Sequence, residues 1–184
     1  RQAAAESRRP ADAWAEVEKA IDLDCALARM RNAGVNLTYH SCDVTNRDLL
    51  ARVLDEIRQS DGPVKGVLHA AGIEAAARYE RKIPSSVEAT VHTKIDGAQW
   101  LWQLTESDHL QFFVAFGSTS GRFGGLGQTD YSMSSDMLCR MCSAYRAERP
   151  DCRVVGIHWP PWDEVGMAAR PESRFALEAS GLKF

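Results

Sequence analysis

The spacing of apolar and polar positions changes several times along the chain, and each change marks an element. From Ala13 to about Arg31, Val17, Ile21, Leu27 and Met30 recur at roughly helical intervals, and Asn32-Ala33-Gly34 supplies a stop. Val35 to His40 is apolar at Val35, Leu37 and Tyr39, which predicts a short strand. Cys42-Asp43-Val44-Thr45 reads as a loop. Thr45 or Asn46 then caps a helix with Leu49, Leu50, Val53, Leu54 and Ile57 on one face. Beyond Gly62-Pro63, Val64 to His69 forms a second apolar strand that ends in Ala70-Ala71-Gly72. A long loop runs to Ile83. Pro84-Ser85 opens a helix to about Leu104, with Val87, Val91, Ile95, Ala98, Leu101 and Leu104 inward. Phe112 to Phe116 is apolar throughout, as in a strand buried on both faces, and a Gly/Ser/Thr cluster bounds it. A Gly-rich loop leads to a helix from about Asp130 to Arg146. Cys152 to Trp159 is a last strand, Pro160-Pro161-Trp162 ends it, and a short helix is expected near Glu172 to Ala179. Residues 1 to 12 read as a flexible lead-in to a domain portion spanning 13 to 184.

Strands alternating with helices mean βαβ units, a parallel sheet and right-handed crossovers. Ligands in such sheets sit beyond the carboxyl ends of the strands. Ser118 stands at that end of the Phe112 strand, and Tyr131 follows at a helix start. A hydroxyl facing a phenol in this way can activate a carbonyl. A dinucleotide-binding sheet normally opens with a strand and a Gly-rich turn that cradles the pyrophosphate. No strand–GxGxxG–helix opens this sequence, and the glycines from Gly121 to Gly127 come too late in the strand order for that role.

Composition narrows the classes. The chain has 184 residues, 45% apolar and 26% charged, as expected of one globular domain. A formal net charge of −3 favours neither nucleic acid nor an anionic membrane as partner. Five scattered cysteines suit reduced thiols and a cytoplasmic setting. Cys139-x-x-Cys142 lies in a helical pattern without a second ligand pair, so no metal site is expected. No apolar run reaches membrane-spanning length, and no signal peptide opens the chain.

Several pieces in order carry a family resemblance. Cys42-Asp43-Val44-Thr45, His69-Ala70-Ala71-Gly72, Phe116-Gly117-Ser118, Gly127-Gln128 with Tyr131, and His158-Trp159-Pro160-Pro161-Trp162 with Gly166-Met167-Ala168 stand in the sequence of a ketoreductase domain. From about Leu37 to Met167 the chain resembles the ketoreductases of modular polyketide synthases and polyunsaturated-fatty-acid-type synthases, members of the short-chain dehydrogenase/reductase superfamily. The resemblance implies an α/β, Rossmann-like doubly wound parallel sheet, partial here, since the first strand and phosphate loop would lie N-terminal to Arg1. Arg1 itself is either the arginine that meets a 2′-phosphate or an arbitrary end.

The implied reaction is NADPH-dependent reduction of a β-ketoacyl thioester, held on the phosphopantetheine of an acyl carrier protein, among neighbouring megasynthase domains. Tyr131 would be the acid, with Lys94 lowering its pKa and binding the nicotinamide ribose, and Ser118 would orient the substrate oxygen. Asp43 and Val44 would meet the adenine; Ala70, Ala71 and Gly72 would line the nicotinamide ribose. Ser135 replaces the family's asparagine four residues after the tyrosine, where it would act in the proton relay with one hydroxyl instead of an amide. The usual Tyr-x-x-x-Lys of stand-alone reductases is absent for the same reason.

The residue types alone also admit plainer roles. Ser118 can cap a turn, Tyr131 can be an amphipathic helix-start residue, Lys94 can be solvated, and Asp43 can cap the following helix. His69 and His158 read as core or rim histidines, Trp159 and Trp162 as core and loop anchors. Neither sequence marker of product hand is present, since Ile73-Glu74-Ala75-Ala76 and Phe123 occupy those places. The rival function is a reductase-like scaffold without catalysis.

Overall fold

A computed structural model of the chain describes residues 10–162 and Gly166. The readings on Arg1, most of the lead-in, Met167-Ala168 and the helix near Glu172 to Ala179 lie outside the described residues. The chain divides into two compact units, Arg1–Ser41 and Cys42–Phe184.

The first unit contains helix α1, Pro10–Asn32, closed by Gly34 at φ +80°. Val35 to His40 forms no strand, contrary to its alternation. A strand exists only through ladder hydrogen bonds, and no described segment pairs with this one. Val35 and Tyr39 are accordingly about half exposed, at 50% and 51%.

The second unit runs α2 (Arg47–Asp61), β1 (Gly66–His69), α3 (Pro84–Leu104), β2 (Phe112–Ser118), α4 (Ser120–Phe123), α5 (Thr129–Glu148) and β3 (Arg153–Trp159). Asn46 caps α2, its side-chain oxygen accepting from the Leu49 N–H at 3.0 Å. Pro84 sits in the first turn of α3, where its missing N–H costs nothing. The three strands are parallel in the order β1-β2-β3, with Val67 beside Phe113 and Phe113 beside Val154.

Sequential order has a consequence for layering. Two right-handed crossovers that advance in one direction place α3 and α5 on the same face. That face carries Val67, Phe113, Ala115 and Val154, packed under Ile95, Ala98, Trp102, Leu138, Cys142 and Tyr145. Trp102 stacks on Tyr145 at 4.4 Å, and Phe113 meets both rings edge-on. The opposite face presents Leu68, Phe112 and Val155, which remain 64%, 38% and 37% exposed. The α/β class with a parallel sheet is therefore as expected, and among the described residues one of its two faces is well covered.

One ion pair ties α2 to the strand entrances. The Arg58 guanidinium donates to Asp108 from Nη2 at 2.6 Å and from Nε at 3.1 and 3.2 Å. Asp108 also accepts from the Val64 N–H at 3.1 Å, just ahead of β1. The Arg58 hydrogen bond, ahead of other causes, holds the Asp108 carboxyl below the usual range. A depressed carboxylate contributes stability above its unfolded pKa of about 3.9, and that contribution is lost as pH falls through the folded value. We expect Asp108→Asn to cost about 2 kcal/mol near pH 7. Urea melts taken down to about pH 2 should show the wild type losing this advantage while the variant does not.

Candidate active site

The carboxyl end of β2 is built around close approaches that only small residues allow. A Cβ on Gly117 would stand 2.7 Å from Cys139 Sγ and 3.1 Å from the Ile157 carbonyl oxygen. A Cβ on Gly121 would stand 2.8 Å from the Asp136 nitrogen. Helix α5 therefore lies directly against the strand end, and its first turn brings Tyr131 beside Ser118.

Lys94 reaches the same place from α3. Its side chain is buried, donates from Nζ to the Phe116 carbonyl at 2.9 Å, and lies 5.0 Å from the centre of the Tyr131 ring. Gly72 lies alongside it: a Cβ there would make an ordinary contact, 3.5 Å from Lys94 Nζ. His69, 2% exposed, donates from Nε2 to the Lys94 carbonyl at 2.9 Å, fixing the turn that carries the lysine. Burial also lowers the His69 pKa, so the ring is neutral.

The electrostatics follow from this burial. Lys94 is lowered to about 8 by burial, against opposing pulls from Cys139 and Glu74. The Tyr131 phenol is pushed up, first by burial and then by Glu74, while its hydrogen bond with Ser118 acts the other way. The expectation that Lys94 brings the phenol down is corrected. The ammonium faces the ring and the Phe116 carbonyl, and burial is the largest cause acting on the phenol. The Ser118 hydroxyl additionally accepts from the Ser120 N–H at 3.2 Å and from the Ser120 hydroxyl at 2.9 Å.

Lys94, Ser118, Tyr131 and Gly72 are thus brought together. Ser135 is not joined to them by a hydrogen bond. It is fully buried against Gly121, and its hydroxyl has no partner. Val44 packs near the site's rear wall, its Cγ2 being 3.0 Å from where a Cβ on Gly97 would stand. Asp43 turns inward on its own loop, accepting from the Thr45 N–H at 2.9 Å and the Thr45 hydroxyl at 2.8 Å. Ala70 is exposed at the end of β1, with Ala71 and Gly72 half-buried after it.

A second set of residues closes one side; the sequence named Gly127-Gln128 and Glu74 among its motif positions but gave no sign that they meet. The segment from Gly72 to Ile83 is fastened to the approach to α5 by three links. Gln128 Nε2 donates to Glu74 Oε1. The Ala77 N–H donates to the Gly127 carbonyl at 3.0 Å. Lys82 pairs with Asp130 at 2.6 Å, their side chains only 7% and 4% exposed. Gly127 is at φ +73°, where a side chain would be strained and would meet the Ala77 backbone. These partners lie some fifty positions apart in the chain, so spacing gave no signal of them.

His158 and the tryptophans are supports. His158 Nδ1 donates to the Ser118 carbonyl at 3.2 Å, and Arg122 Nε donates to His158 Nε2 at 3.2 Å. Trp159 stacks on Phe116 at 5.3 Å, and Trp162 meets Trp159 edge-on at 5.1 Å. Cys142 is buried and pushed up to about 11 by desolvation, and desolvation also raises Cys139. Among the described residues no group of three or more His, Cys, Asp or Glu side chains could hold a metal ion. No helix among them is long and apolar enough to cross a membrane.

Comparison with known proteins places this geometry. The family model described as "KR domain" matches residues 3–164. Polyketide synthase PksN of Bacillus subtilis is 28% identical over 156 residues, 82% of this chain and 3% of that protein. Polyketide synthase ThaG of Burkholderia thailandensis is 35% identical over 157 residues, 79% of this chain and 3% of that protein. The chain thus spans a small part of the curated relatives it matches. Among solved structures, the ketoreductase from the first module of phoslactomycin biosynthesis in Streptomyces sp. HK803 is similar, with a TM-score of 0.73 and 28% identity. That match covers 83% of this chain and 34% of the other.

Proposed function

Because the chain belongs to the KR domain family, we propose that it reduces the β-keto group of an acyl thioester carried by an acyl carrier protein, with NADPH as reductant. Ketoreduction in polyketide biosynthesis is the family's chemistry. The thioester, its carrier, a role in fatty-acid synthesis and the choice of NADPH are our reading. The observation that carries it is the meeting of Lys94, Ser118 and Tyr131 at the carboxyl end of β2.

The residues present suit a nicotinamide ribose. Gly72 lies beside the ammonium, and Ala70 is open at the strand end. Ala70, Ala71, Gly72, Lys94 and Tyr131 would hold that half, and Asp43 and Val44 the adenine side. When bound, the cofactor supplies the hydride.

The chain's own part is to hold the substrate oxygen and hand it a proton. Ser118 fixes the carbonyl oxygen with its hydroxyl. Tyr131, a phenol that burial pushes further from the phenolate, is the proton donor to the alkoxide that forms. Lys94 uses one N–H on the Phe116 carbonyl, leaving donors for ribose hydroxyls. Ser135, whose hydroxyl is unpartnered, is our candidate for the proton path behind the tyrosine. A cytoplasmic setting suits the five free cysteines, with neighbouring megasynthase domains as partners.

The test is NADPH oxidation with a β-ketoacyl thioester, using the full polypeptide that carries this chain. Substrate-dependent loss of NADPH absorbance is expected. No turnover, together with no nucleotide binding by calorimetry, would leave a non-catalytic scaffold as the better reading.

A further inference from the structure

Glu74 lies two residues past Gly72, which packs on Lys94, and its carboxylate is gripped by Gln128, three residues ahead of Tyr131. The grip is not a loose surface contact. The backbone bond from Ala77 to Gly127 and the buried Lys82–Asp130 pair hold the same two segments together on either side of it. Glu74 is thereby fixed at the edge of the site, two residues past the glycine beside Lys94 and bonded to the residue three ahead of Tyr131.

We propose that Glu74 is a positioning residue of this site, a fixed negative charge that acts in the same sense on the Lys94 ammonium and the Tyr131 phenol. The proposal rests on the reductase reading for its purpose, although the charge arrangement stands apart from it. The groups around it are Lys94 from α3, Tyr131 and the Lys82-paired Asp130 from α5, and Gln128 from the preceding turn. His69 and Cys139 act on Lys94 from behind. A negative charge here favours the protonated form of both partners, and Glu74 raises both. The site is then held as phenol plus ammonium, the pair that donates a proton, to a higher pH than either side chain would manage without it.

Glu74→Gln removes the charge and keeps the shape and an amide able to meet Gln128. The direct readout is tyrosinate absorbance against pH on the full chain, taken as the difference from the same protein with Tyr131→Phe. In Glu74→Gln the Tyr131 titration should move down by about one pH unit. Glu74→Asp, which restores the charge, should titrate near the wild type. An unmoved titration in Glu74→Gln, or an equal displacement in Glu74→Asp, overturns the proposal. Turnover is scored separately. If the full polypeptide does not reduce the thioester while the titration still moves, the reductase reading falls and the charge arrangement stands.

Discussion

Tyr131→Phe should lower thioester reduction by about 10²–10⁴-fold and leave the fold unchanged. The substitution removes one oxygen and nothing else. The ring keeps its place beneath Lys94, 5.0 Å from the ammonium, in the first turn of α5. The hydroxyl's link to Ser118 is lost, and so is the proposed proton donor to the new alkoxide. Near-ultraviolet circular dichroism, to which the Trp102–Phe113–Tyr145 and Phe116–Trp159–Trp162 clusters contribute, should match the wild type. Nucleotide binding should survive, because the lysine is untouched. Wild-type rates in this variant would remove Tyr131 from the reaction.

Lys82→Met should destabilise the protein by about 3–5 kcal/mol, a large share of the stability of an ordinary domain. Both charges of the Lys82–Asp130 pair are out of water, at 7% and 4% exposure. Removing the ammonium leaves a carboxylate that cannot be solvated, and its second oxygen already lacks a partner. Lys82 also donates to the Ala75 carbonyl at 3.1 Å, so the strap to Ile83 loses its own brace. Replacing both partners, as in Lys82→Met with Asp130→Leu, should recover much of the loss, because no charge is then stranded. Urea denaturation of the three proteins measures this. Equal losses in the single and double variants would place the cost in side-chain shape and not in charge.

The elements that could be read from the sequence are those whose pattern reports their own burial. Leu50 and Leu54 on α2 are buried as the helical period demands, whereas β2, expected to be buried on both faces, buries Phe113 and Ala115 on one and leaves Phe112 38% exposed on the other. Val35 to His40 carried a similar pattern and failed, because alternation announces a surface able to pair but cannot supply the partner. The trio of Lys94, Ser118 and Tyr131 was visible only because its members fall in a familiar order. Spacing alone would not have joined Lys94 to Ser118. The contacts of Lys82 and Glu74 escaped notice for a related reason. Isolated charges in a loop look solvated until the fold brings Asp130 and Gln128 against them. The sign of the Tyr131 perturbation was also beyond the sequence, since it depends on how deeply the phenol is buried and on where the ammonium points.

The row of Leu68, Phe112 and Val155 on the far side of the sheet bears on how this piece can be moved between proteins. An oily ribbon facing water tends to find another surface, its own copies included. Anyone moving this domain into another protein must therefore provide a cover for that row. A graft that keeps Lys94, Ser118 and Tyr131 but leaves the row bare would clump before it could be assayed.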